Sequence, residues 1–86
     1  MKVENITSRV RKIAKKIKYL GNKSYVRVRK SDVVLIVDPH DLRTKTISSI
    51  RSIVKEEKLD YHSYSFEGTN EFDSILTWEF YKYQLR

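Results

Sequence analysis

The sequence contains no cysteine, one proline (Pro39) and only two glycines, Gly21 and Gly68. Without cysteine it can form neither a disulfide framework nor a thiolate metal site. With so few chain breakers, it has no collagen-like, linker or low-complexity segment. No apolar run approaches the roughly 18 residues of a membrane span, and no signal-peptide pattern precedes a small-residue cleavage site. The expectation is a soluble, cytoplasmic protein. Acidic residues are nearly missing from one end: residues 1–30 hold a single acid, Glu4, against 11 lysines and arginines.

Apolar residues make up 40% and charged residues 34% of the 86, a globular rather than disordered balance, and the length suits one domain spanning 1–86. The net charge of +7 is unevenly placed. Residues 31–59 are neutral, with five charges of each sign, and residues 60–86 carry two bases and five acids. Such polarity points to one surface built for an anionic partner.

Val3, Ile6, Val10, Ile13, Ile17 and Leu20 alternate steps of three and four, which predicts an amphipathic helix over about residues 4–20, stopped by Gly21-Asn22. Arg9, Arg11, Lys12, Lys15, Lys16 and Lys18 fall off that stripe. SYVRVRK alternates valine with Tyr25, Arg27 and Arg29, as a half-buried strand does. VVLIV, residues 33–37, is apolar on both faces and reads as a central strand, reached through the short connection Lys30-Ser31-Asp32. Ile47, Ile50, Ile53 and Val54 predict a second helix ending near Lys58. It begins either at Pro39 or at about Thr46 after a separate turn. DYHSYSF (60–66) and SILTWEFYKY (74–83) read as strands about a polar turn, EGTNEFD.

The order is α-β-β-α-β-β. Two hairpins then form one four-stranded, mainly antiparallel sheet with both helices on one face, an α+β two-layer sandwich. This order resembles RNA-binding α+β folds as an architecture, which does not fix a function. The uncovered sheet face is expected to carry Tyr25, Arg27, Arg29, Tyr81 and Tyr83, joined by either Tyr61 or the pair His62 and Tyr64. Ile75 and half of VVLIV share that face, which also suits a second subunit.

VDPHD, residues 37–41, places two carboxylates about a histidine, in the manner of a general base or metal site. A metal site needs three or four converging ligands, and His62 and the scattered acids show no diagnostic spacing. Glu56 and Lys58 with Asp38 upstream imitate the D…ExK pattern of metal-dependent nucleases. They fall at a helix end, where that pattern requires a strand. The better reading of VDPHD is a helix start: Asp38 as N-cap, Pro39 in the first turn, Asp41 at the third position, and His40 pointing to solvent. No nucleophile signature and no phosphate-cradling glycine loop is present, and no metal or cofactor is expected.

The expected function is non-enzymatic nucleic-acid binding, with single strands favoured over duplex. Arg9, Arg11, Lys12, Lys15, Lys16, Lys18, Lys23, Arg27 and Arg29 would contact phosphates, and Tyr25, Tyr81 and Tyr83 would stack on bases. The alternatives are a protein-interaction module, as a homodimer through the sheet face or an inhibitor of an acidic or nucleic-acid-binding partner, and a small metal-free ribonuclease using His62. A membrane partner is not expected, because the first helix's apolar stripe lacks aromatic anchors and is needed for the core.

Overall fold

The computed structural model describes residues 2–40, 43–68 and 74–85. Eight elements follow in order: β1 (Val3–Asn5), α1 (Thr7–Tyr19), β2 (Lys23–Val28), β3 (Asp32–Asp38), α2 (Thr44–Glu56), β4 (Tyr61–Gly68), β5 (Ser74–Tyr81) and β6 (Tyr83–Leu85). β2, β3, β5 and β4 form, in that spatial order, a four-stranded sheet in which every neighbouring pair is antiparallel. The expected α+β sandwich is present. β1 and β6 form a second, two-stranded antiparallel sheet. Among the described residues, no helix is long and apolar enough to cross a membrane.

The core explains why both helices share one face. Val10, Ile13, Ala14 and Ile17 of α1, with Ile47, Ile50 and Val54 of α2, pack against Val33, Leu35 and Val37 of β3 and Leu76, Trp78 and Phe80 of β5. The strand residues alternate, so all six point to one side. A fully buried aliphatic or aromatic side chain contributes about 1.5–3 kcal/mol, so these residues dominate the stability. Val34 sits on the other side yet is only 3% exposed, flanked in the ladder by Arg27 and Glu79. This fits VVLIV being apolar on both faces.

Three boundaries differ from the sequence expectation. First, α1 starts at Thr7, because residues 3–5 leave the helix to pair with residues 83–85. Val3, placed on the apolar stripe by spacing, is therefore exposed. At its other end Gly21 adopts φ +92°, its N–H donates to the Lys18 carbonyl, and the Asn22 N–H donates to the Ile17 carbonyl. That is a Schellman arrangement, and it makes the helix stop expected at Gly21-Asn22.

Second, β5 ends at Tyr81. Its continuation bends at Lys82 into β6, where the Gln84 side chain is buried and fills the start of β4. Gln84 Nε2 donates to the Asp60 and Tyr81 carbonyls at 2.7 and 2.8 Å, and Oε1 accepts from the Asp60 N–H at 2.9 Å. One amide thus meets three backbone groups at the bend, the Asp60 carbonyl also accepting from the Tyr81 N–H at 3.3 Å.

Third, VDPHD does not start the helix. Asp38 is the last residue of β3, paired with Lys23 in the ladder, and α2 begins at Thr44, near the later of the two expected starts, with Arg43 at the cap position. Asp41 lies outside the described residues. His40 does not simply point to solvent: its backbone N–H and its ring Nδ1 meet Asn22 Oδ1 at 3.0 and 2.7 Å. The carbonyl oxygen only accepts, so Nδ1 carries the proton. Asn22 is itself buried and its Nδ2 reaches the Ile17 carbonyl at 3.4 Å. The stretch is a clasp that docks the end of β3 on the end of α1, and Pro39, buried, makes the turn rigid rather than helical. Replacing Asn22 by alanine removes the buried oxygen shared by the His40 N–H and ring and the amide that reaches Ile17, and is expected to cost about 2 kcal/mol in urea denaturation. His40→Ala, which removes one exposed partner, is expected to cost less than half as much. Equal losses would contradict the clasp.

Candidate nucleic-acid interface

The apolar stripe of α1 is committed to the sheet, so its cations divide between two flanks. Arg9, Lys12 and Lys16, spaced three and four apart, face the end of α2. There Glu57, its side chain only 10% exposed, lies 3.5 Å from Arg9 Nη1, 3.5 Å from Lys12 Nζ and 4.0 Å from Lys16 Nζ. Arg9 Nε also donates to both carboxylate oxygens of Glu4, at 2.9 and 3.0 Å. The hydrogen bond and charge of Glu4 raise the Arg9 pKa above its ordinary value, burial opposes this, and Glu57 adds to the rise. These three expected phosphate contacts are turned toward internal carboxylates.

Arg11, Lys15 and Lys18 lie on the opposite flank, beside β2. Arg11, Lys15 and Lys18 line a shallow groove with Ala14, Ser24 and Val26, and Lys18 continues into a second one with Lys23 and Tyr25. Ser24 fixes this approach, because its buried Oγ donates to the Ala14 carbonyl at 2.7 Å. β2 is an edge strand, and Lys23, Tyr25 and Arg27 alternate onto its outer face. A basic band therefore wraps from α1 around the free edge of β2. Among the described residues, Arg11, Lys15, Lys18, Lys23 and Arg27 take part in no ion pair, even though Asp38 neighbours Lys23 in the ladder.

The open sheet face is less basic than expected. Arg29 Nη1 lies 3.1 Å from Glu79 Oε1, and His62 Nε2 lies 3.0 Å from Asp32 Oδ1. Tyr25 and Tyr81 are on this face and about half exposed, while Tyr83 is in β6, beside the Lys82 ammonium, and is not part of it. Of the residues expected from β4, His62 joins them, but Tyr61 and Tyr64 do not. The register slips between Tyr61, opposite Phe80, and Ser63, opposite Glu79, leaving His62 as an extra residue. This bulge turns His62 to the open face, 5.0 Å from the Tyr81 ring. Tyr61 and Tyr64, on either side of the slip, both go to the helix side, against Phe80 and Trp78.

The Asp32–His62 pair was missed because its members are thirty residues apart and carry no motif spacing. Among the described residues, no three histidine, aspartate or glutamate side chains gather as a metal site would require. Asp38 and His40 are accounted for by the ladder and the Asn22 clasp. Comparisons with protein-family models, with curated proteins and with solved structures found no match.

Glu57 is the test of this division of charge. Its cationic partners are 40–63% exposed, so each ion pair contributes at most about 1 kcal/mol. Glu57→Gln is expected to lower stability by about 1 kcal/mol in denaturant titrations, with most of that loss disappearing in 1 M salt as the charges are screened. A salt-independent loss would show that Glu57 acts by packing rather than by charge.

Proposed function

We propose that this protein binds nucleic acid without catalysis, through the basic band formed by α1 and the free edge of β2. The observation that carries this reading is the set of five cations, Arg11, Lys15, Lys18, Lys23 and Arg27, with no carboxylate partner among the described residues. The protein has carboxylates to spare for α1, and they are spent on its other flank. Cations left unpaired on one edge suit a ligand that brings its own negative charge, and each phosphate neutralised releases condensed counterions. Tyr25, 58% exposed between Lys23 and Arg27, gives the band one ring on which a base can stack. A stacking ring favours single strands, whose bases are accessible.

Two tests separate the electrostatic and stacking parts. With about five phosphates engaged, the log–log slope of affinity against salt should be about −3.5 for single strands and about −4.5 for duplex. A binding constant that ignores salt, or absence of binding at low salt, would refute the reading. Tyr25→Leu keeps the apolar surface and removes the ring. It should weaken single-strand binding by about 1–3 kcal/mol while leaving the salt slope unchanged.

A homodimer through the open sheet face is the second reading, and the side-chain pairs and exposed apolar residues of that face favour it. Arg29–Glu79 and Asp32–His62 satisfy each other, leaving Ile36 partly and Ile75 clearly exposed beside Tyr25 and Tyr81. Under this reading light scattering gives twice the chain mass, and Ile75→Glu returns the monomer. A monomeric mass at high concentration removes it.

A further inference from the structure

β4 ends the sheet opposite β2, and the two edges differ in how they are guarded. An edge strand offers main-chain N–H and carbonyl groups to any other strand, and natural proteins block this with charge, proline or bulges. β2 carries Lys23 and Arg27, so pairing with a second β2 would bring like charges together. β4 has no such guard over most of its length. Residues 61–66, YHSYSF, contain no lysine, arginine, acid or proline, and the bulge disturbs only Tyr61 to Ser63. The direction of its free groups follows from β5. The Tyr81 N–H donates to the Asp60 carbonyl at 3.3 Å, while the Lys82 N–H donates to the Ser31 carbonyl at 3.0 Å on the other side. Main-chain groups alternate along a strand, so Glu79, Thr77 and Ile75 turn theirs toward β4. Their ladder partners Ser63, Ser65 and Glu67 turn inward, and Tyr64 and Phe66 turn outward. Among the described residues, neither has a main-chain hydrogen bond on that outer side, and Phe66 is 47% exposed.

We propose that β4 pairs antiparallel with β4 of a second copy of this chain, about a two-fold axis through Ser65, joining the two four-stranded sheets into one. In this register every opposed pair is compatible. Tyr64 lies opposite Phe66 of the second copy, and Phe66 opposite Tyr64. Each such pair exchanges both of its main-chain hydrogen bonds and brings two rings together on the helix side. On the open side Ser63 lies opposite Glu67, where the hydroxyl donates to the carboxylate, and Ser65 meets its own copy. No like charges are opposed. The occupant is a second copy because the sequence of β4 itself supplies each match. A foreign strand would find no charge over residues 61–66 by which to be selected. The contact uses the sheet edge, not the open face. It leaves both β2 bands free at the far ends of the joined sheet, so it stands apart from both readings above.

Light scattering of the intact protein at sub-millimolar concentration should give twice the chain mass. Hydrogen exchange should show the Tyr64 and Phe66 amides gaining protection as concentration rises, while that of Val26, which turns outward on the β2 edge, does not change. Phe66→Pro removes one outward N–H and its ring but spares the β5 ladder, a substitution that an edge strand tolerates. It should weaken association by about tenfold or more and leave the circular dichroism of the chain unchanged. Ser65→Lys brings two ammonium groups together at the axis. It should separate the copies at low salt and let them return in about 1 M salt, where the charges are screened. Ile75→Glu, which breaks a dimer formed through the open face, should leave this one intact. A monomeric mass, or Phe66→Pro and Ser65→Lys chains that dimerise as the wild type does, would overturn the pairing. A dimer lost in Ile75→Glu and kept in Ser65→Lys would overturn it in favour of the open face.

Discussion

The commitment of one stripe of α1 to the sheet governs the rest of the structure. Val10, Ile13, Ala14 and Ile17 are buried against the strands, and Ser24 ties the Ala14 carbonyl to β2. A helix fixed in rotation this way cannot choose which cations it shows to which neighbour. Residues one step to one side of the stripe must face α2, and those to the other side must face the edge of β2. Charge that looks uniform along the sequence is thereby split into two populations with different surroundings. Glu57 and Glu4 neutralise one population. The other meets no acid among the described residues, and the strand it borders adds Lys23 and Arg27.

A similar logic acts at the far edge of the sheet. One extra residue in β4 decides which rings face which layer. Without the bulge at His62, alternation would send Tyr61 and Tyr64 to opposite faces. With it, both lie beside α2, and the open face receives His62 instead. The two edges therefore differ in kind: β2 is bordered by cations over a shallow surface, and β4 by rings and an arginine hydrogen-bonded to Tyr64. On the face between them, Arg29 pairs with Glu79 and His62 meets Asp32.

What could be read from the sequence follows the range of the interactions involved. The α1 stripe, the valine face of β2, the doubly apolar β3 and the Gly21 stop are local patterns, and each appears where spacing puts it, except that Leu20 and Val28, at the ends of their patterns, stay exposed. The four-stranded sheet with both helices on one face followed from them. The features that were not legible depend on partners far away in the chain. Residues 3–5 continue the helical pattern but pair with residues 83–85, so the stripe overran the real start of α1. VDPHD carries every local sign of a helix start, yet the Asn22 amide, eighteen residues earlier, claims the His40 N–H. The bulge in β4 is invisible because DYHSYSF alternates acceptably in either register. The Glu57 cluster joins residues more than forty apart, and no charge count separates Lys12 from Lys15.

The central claim is that the two flanks of α1 are functionally unequal although their charges are the same. It is tested most directly by measuring the salt dependence of single-strand binding for two triple variants of equal charge. Arg11→Ala/Lys15→Ala/Lys18→Ala should reduce the magnitude of the log–log slope by about 2, as expected for three lost phosphate contacts. Arg9→Ala/Lys12→Ala/Lys16→Ala should leave the slope nearly unchanged and instead lower stability. Equal slope changes in the two variants would mean that net charge alone drives binding, and would contradict the account.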